Sequence, residues 1–156
     1  MKINFKLFFI LVGLTVIFSS CRTSAPRLDY QALARASVLL GIDINLEDDH
    51  KLYLEAADWI GAPYRGGGDS KRGTDCSGMV YQIYRKVYRI QVPRNTEELK
   101  NKSNKVAKRN LKEGDLVFFS SNRSRKRVAH VGIYLKSGKF IHSSTCLLYT
   151  SPSPRD

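Results

Sequence analysis

A chain of 156 residues has room for one domain with appendages. Its 26 lysines and arginines stand against 14 acidic residues, a formal charge of +12 that favours anionic polymers as partners. Beyond the basic run Arg123 to Arg127 there is no nucleic-acid motif, and residues 122–126 read as a solvated basic loop, so no nucleic-acid partner is expected.

Lys2 and Lys6 precede an uncharged apolar run, Leu7 to Phe18, too short to span a membrane comfortably as a permanent anchor. The run stops at Ser19-Ser20-Cys21. Residues 1–20 are similar to a bacterial lipoprotein signal, which implies that Cys21 is lipidated and becomes the new N-terminus. The alternative is an ordinary secretory signal in which Cys21 is incidental. Thr23 rather than Asp lies two residues after Cys21. In the enterobacterial sorting pattern this implies a lipid anchor in the outer membrane, facing the periplasm. Export would place the domain in an oxidising compartment. With Cys21 lipid-modified and Cys146 in a suspect tail, Cys76 has no disulfide partner.

Residues 21–46 read as a tether with a short helix. Asp29 is placed to cap a helix from Tyr30 to Leu40 whose inward face carries Leu33, Ser37 and Leu40, and Gly41 closes it. A second helix is expected to begin near Asp48, with Leu52, Ala56, Trp59 and Ile60 on one face, ending at Gly61 and Pro63. Tyr64-Arg65-Gly66-Gly67-Gly68 is too glycine-rich to be regular and reads as a wall of a substrate cleft.

Gly73-Thr74-Asp75-Cys76-Ser77-Gly78 leads into a third helix. Met79, Val80, Ile83 and Val87 recur at helical spacing, with Cys76 on the same stripe. A sulfur in the first turn of a helix meets N–H groups without intrahelical partners and the positive end of the helix dipole. Both favour a negatively charged nucleophile there. This helix should run to about Tyr88. Pro93 breaks the chain after it, and a short helical turn is expected at 96–101.

From Val106 the pattern changes to strands. Gly114-Asp115 turns the chain into Leu116 to Phe119, and Val128 to Leu135 and Lys139 to Ser144 come next. If the intervening loop is Lys136-Ser137-Gly138, with Gly138 left-handed, Leu135 pairs with Lys139 and Gly132 faces His142. His130 and His142 then share a face as diagonal neighbours, about 7–8 Å apart, while Val131, Ile133 and Leu135 enter the core. A two-residue loop would put the histidines on opposite faces. His130 could take the Cys76 proton and return it to a leaving amine, with His142 orienting its ring and backbone N–H groups near Cys76 holding an oxyanion. His50 reads as a surface residue. One cysteine and two histidines could bind zinc, but the close ligand spacings of structural zinc sites are missing and no metal is expected. These residues point to a cysteine hydrolase. Helices first and strands later imply an α+β fold with helices on an antiparallel sheet.

Five stretches carry a resemblance to a family. They are Gly61 to Gly68, Thr74 to Val80, Leu111 to Phe119, His130 to Leu135 and Phe140 to His142. In this order they are similar to the NlpC-type, papain-like cell-wall cysteine peptidases, over about residues 50–145. The resemblance implies Cys76 as nucleophile, His130 as base and His142 as the orienting third residue, with Tyr64, Asp75 and Ser77 contacting substrate. It implies cleavage of peptidoglycan stem peptides, commonly between D-glutamate and a diamino acid, without a cofactor, and a monomer is expected. Two other readings are a papain-like amidase or acyltransferase and a non-catalytic cell-wall-binding lipoprotein. The peptidase domain is assigned to residues 47–145 and is expected to be incomplete. Residues 146–156 lack strand alternation and read as a foreign or disordered tail, which would leave a sheet edge unpaired.

Overall fold

The computed structural model describes residues 28–121, 124–143 and 148–152, with side chains through 120 and over 128–143. Cys21, Cys146 and the expected signal lie outside these residues. Helix α1 is Tyr30–Leu40. Asp29 accepts from the Ala32 N–H at its start, and Gly41 closes it with φ of 61°. Leu33, Ala36 and Leu40 are buried. Ser37 is half-buried and donates its hydroxyl to the Ile42 carbonyl. Helix α2, His50–Trp59, is capped by Asp49 through the Leu52 N–H and buries Leu52, Tyr53, Ala56 and Trp59. These caps satisfy donors that a helix start otherwise leaves open.

Two short strands come next, β1 (Asp69–Ser70) and β2 (Gly73–Thr74), paired antiparallel. Helix α3, Cys76–Val87, starts directly after β2. Met79, Val80 and Ile83 on it are fully buried, and Cys76 and Val87 pack partly buried against the same core. Helix α4 is the short Thr96–Asn101, pinned by the buried Leu99. A 3-10 turn at Lys108–Asn110 precedes the main sheet.

That sheet is an antiparallel meander of β3 (Leu116–Ser121), β4 (Ser124–Tyr134), β5 (Lys139–Ser143) and β6 (Leu148–Pro152), in that spatial order. Val131, Ile133, Leu135 and Ile141 project into the core shared with Met79, Val80 and Ile83 of α3. Helices laid on one face of an antiparallel sheet are the α+β architecture that the element order implies.

Two expectations need correction. Residues 148–152, within the segment expected to be a strandless tail, form β6, and each pairs with a residue of β5. Backbone N–H and C=O groups along an unpaired sheet edge recruit a neighbouring segment regardless of side-chain pattern, so the lack of alternation is a poor guide. The basic stretch expected to be a solvated loop enters β4 at Ser124, which pairs with Ser121.

A cross-linked network ties α2 to the turn before β3. Tyr53 donates to Glu113 at 2.8 Å, Glu113 also accepts from the Asp49 N–H, and Tyr88 donates to Asp49 at 2.9 Å. Burial, followed by these carboxylate contacts, pushes the pKa of both tyrosines well above its ordinary value, so they act only as neutral donors.

Candidate active site

Asp75 organises the start of α3. It is the N-cap, and its Oδ1 accepts from the Gly78 N–H at 2.8 Å and from the Ser77 hydroxyl at 3.2 Å. Its Oδ2 accepts from the Gly67 N–H at 2.8 Å. Arg94 completes the set, donating Nη1 to Asp75 at 2.7 Å and to the Ser77 Oγ at 2.8 Å, and Nη2 to the Gly68 carbonyl at 2.6 Å. Burial opposes the charge on Asp75, but Arg94 and the two backbone donors outweigh it and hold its carboxyl below the ordinary value. Asp75 and Ser77 therefore fix the turn that presents Cys76.

Two glycines make this close approach possible. A Cβ at Gly78 would lie 2.2 Å from the Gly68 carbonyl oxygen and 2.6 Å from Arg94 Nη2. A Cβ at Gly68 would lie 2.4 Å from the Gly73 carbonyl oxygen. The glycine-rich loop is thus held, not loose. Arg65 donates to Thr74, Thr74 to Pro63, and Asp75 to Gly68. Tyr64 forms a parallel bridge with Thr74 and is 41% exposed, so its ring is open to a ligand.

Cys76 is the first residue of α3, a free thiol and half-buried. Its hydrogen-bonding neighbour is the Thr96 hydroxyl, 3.8 Å from Sγ. Among the described residues the sulfur makes no hydrogen bond to His130.

The hairpin has the register that places both histidines on one face. Tyr134 pairs with Phe140 and Ile133 with Ile141, and Leu135 donates to the Lys139 carbonyl. Gly138 is left-handed at φ of 73°, and Ser137 joins it at 54°. Positive φ at both central residues of a tight turn matches the right-handed twist of the strands. His130 Nε2 and His142 Nδ1 are 2.7 Å apart, much closer than a generic diagonal pair. Gly132, between them on the same face, explains this: a Cβ there would lie 2.7 Å from Phe140 Cδ2, 2.8 Å from the Ile141 oxygen and 3.3 Å from His142 Cβ. Phe119 and Phe140 flank the imidazoles, with centroid separations of 6.1 Å (Phe119–His130) and 5.0 Å (Phe140–His142).

This packing removes water from the imidazoles. Burial holds the proton affinity of His130 below its ordinary value. For His142, burial and then the nearby His130 push the pKa down to about 4. His142 is therefore neutral at pH 7, and its Nδ1 can accept a proton-bearing Nε2 of His130. That arrangement leaves His130 Nδ1 to receive a proton from another group.

The two halves of the site are joined by packing and by one buried bond. Helix α3 lies against β4 and β5. The Ser143 hydroxyl, next to His142, donates at 3.0 Å to the carbonyl of Thr74, two residues before Cys76. Sequence reasoning missed Arg94, Thr96, Phe119 and Phe140. The signal nearest the first two is Pro93, whose evident meaning is only that it breaks the chain. His50 lies apart, bonded to the Asn45 carbonyl at 2.7 Å. Among the described residues, no group of three or more His, Cys, Asp or Glu side chains is arranged to hold a metal ion. A groove of about 670 Å³ between α1, α2 and the end of α3 lies at the opposite end of that helix from Cys76.

Comparison with known proteins adds four findings. The profile of the NlpC/P60 family matches residues 61–152. A probable endopeptidase NlpC homolog of Haemophilus influenzae is 32% identical over 162 residues, covering 90% of this chain and 85% of that one. The murein DD-endopeptidase MepS/murein LD-carboxypeptidase of Escherichia coli is 38% identical over 101 residues, covering 65% of this chain and 52% of that one. The chain thus spans about half the length of the Escherichia coli relative. A solved NlpC/P60 family structure from Bacillus cereus superposes with a TM-score of 0.61 at 31% identity, covering 70% of this chain and 36% of that one.

Proposed function

The chain belongs to the NlpC/P60 family, and on that footing we propose that it is a peptidoglycan hydrolase, a cysteine endopeptidase that cuts stem peptides. The observation that carries this reading is the 2.7 Å bond between His130 and His142 on strands packed against the helix that begins at Cys76. Within the stem we assign the bond between D-glutamate and the diamino acid. The relatives' names support a cell-wall peptide as substrate, and the MepS name makes a D,D cross-link the rival bond.

In this reading Cys76 is the nucleophile, His130 the base and His142 the residue that orients it. His130 Nδ1 accepts the Cys76 proton while Nε2–H donates to neutral His142, which spreads the new positive charge without a second protonation. The thiolate attacks the amide carbonyl and the carbon–nitrogen bond breaks as His130 returns the proton to the leaving amine. Water, deprotonated by His130, then hydrolyses the thioester and frees Cys76. The Gly78 and Met79 N–H groups are taken by Asp75, so the Cys76 and Ser77 N–H groups serve the oxyanion. Tyr64, exposed beside this turn, contacts the stem peptide.

The finer placement is also proposed: a lipid on Cys21, an outer-membrane anchor facing the periplasm, and action as a monomer. The test is incubation of the purified full chain with sacculi, with the released fragments read by mass spectrometry. Fragments ending in D-glutamate are expected, and Cys76→Ala should abolish them. Release that persists in Cys76→Ala would overturn the nucleophile, whereas intact stems freed from glycan would indicate amidase chemistry.

A further inference from the structure

The segment Arg94-Asn95-Thr96 lies outside the stretches that carry the family resemblance, yet it reaches the first turn of α3 twice. Arg94 grips Asp75, Ser77 and the Gly68 carbonyl. Two residues on, the Thr96 hydroxyl lies 3.8 Å from Cys76 Sγ. Between them Asn95 caps α4 by accepting from the Glu97 and Glu98 N–H groups at 2.8 and 3.3 Å. Buried Leu99 then pins α4 to the core. A strap anchored on both sides of Thr96 leaves its side chain little freedom.

The charges around the sulfur make a neutral donor useful. Asp75, next in sequence, is negative and opposes a thiolate. Arg94 is positive but is hydrogen-bonded to Asp75, so the two largely cancel. The imidazoles contribute no fixed charge at pH 7, since burial holds His130 and His142 towards neutrality. Among the described residues, Thr96 supplies the side-chain hydroxyl within hydrogen-bonding range of the sulfur. An O–H donated to an ionised acceptor is stronger than one to a neutral acceptor.

We propose that Thr96 is a positioning residue for the nucleophile: its hydroxyl donates to the Cys76 thiolate and fixes its direction, and Arg94 holds the strap that carries it. The inference rests on Cys76 being the nucleophile. It assigns to a threonine between two anchors the task of holding the sulfur once His130 has taken its proton.

The experiment compares wild type, Thr96→Val and Thr96→Ser in the full chain. Alkylation of Cys76 by iodoacetamide is measured across pH, together with kcat and KM for fragment release, and thermal denaturation verifies folding. Loss of the hydroxyl in Thr96→Val should displace the alkylation profile upward by about one pH unit, slowing the reaction about tenfold at pH 7 with the same rate at high pH. kcat should fall about tenfold with KM unchanged, and Thr96→Ser should stay within about twofold of wild type. If Thr96→Val does not fold, Thr96→Ala removes the same hydroxyl. A profile that superimposes on wild type would overturn the proposal. So would an equal loss in Thr96→Ser, which would make the methyl group the cause, or faster alkylation in Thr96→Val. Fragment release that survives Cys76→Ala strikes the enzyme reading itself, whatever Thr96 does.

Discussion

Acidification tests the histidine pair through stability as well as activity. His142 is 7% exposed, and burial followed by the nearby His130 takes its pKa from an ordinary 6.5 to about 4 in the folded state. In the unfolded chain it returns to the ordinary value. Between these two values the unfolded chain binds more protons than the native state, so stability rises with pH there and is flat above it. The contribution is complete above 6.5 and drains away as pH falls towards 4. From 6.5 down to pH 5 is 1.5 units, which at about 1.36 kcal/mol per unit removes about 2 kcal/mol. His130, whose shift has the same direction, adds to the loss. Urea denaturation at pH 7 and pH 5, on wild type and His142→Asn, measures this. The wild type should lose about 2 kcal/mol more than the variant, a large part of the stability of a domain of this size. Carboxylates held low, Asp75 among them, act at lower pH and are common to both proteins, so they cancel in the comparison. Equal losses in the two proteins would refute the reasoning that His142 is buried neutral.

The same geometry fixes other outcomes. Gly132→Ala should cost about 1–3 kcal/mol by thermal denaturation and slow fragment release, because the new Cβ meets the Phe140 ring, the Ile141 oxygen and His142 Cβ within 3.3 Å. Gly66→Ala, whose Cβ would have nothing within 4 Å, should change stability by less than about 0.5 kcal/mol. Arg94→Met strips three hydrogen bonds from the start of α3 and should lower the urea midpoint by the equivalent of about 1–3 kcal/mol. It should also raise the pKa of the Asp75 carboxyl, detectable by NMR titration, since the Arg94 contact is the strongest influence holding it down. Tyr53→Phe loses its 2.8 Å bond to Glu113 and should cost about 1–3 kcal/mol of stability, measured by urea denaturation.

What was legible without coordinates was local. Asp29 caps α1 because a short acidic side chain meets an N–H group three residues on, a relation set within one turn. Gly41 ends α1 because only a left-handed residue closes it comfortably. The hairpin register came from the Gly138 loop, and strand alternation then carried His130 and His142 to the same face. Cys76 at the head of α3 needed nothing beyond the spacing of Met79, Val80 and Ile83.

Contacts between distant segments were decided by tertiary packing. Arg94 reaches Asp75 across 19 residues, and Thr96 reaches Cys76 across 20, with no periodicity to announce either. The roles of Gly78 and Gly132 appear only when another backbone or ring presses against them, since a glycine in a helix or strand looks merely permissive in one dimension. Strand β6 formed from a segment with no alternation, because β5 offers backbone partners that do not depend on side chains. Caps, turns and faces are short-range steric and hydrogen-bond relations, so the chain encodes them directly. The tightness of the imidazole pair and the identity of the sulfur's neighbour depend on how α3, α4 and the sheet close on one another.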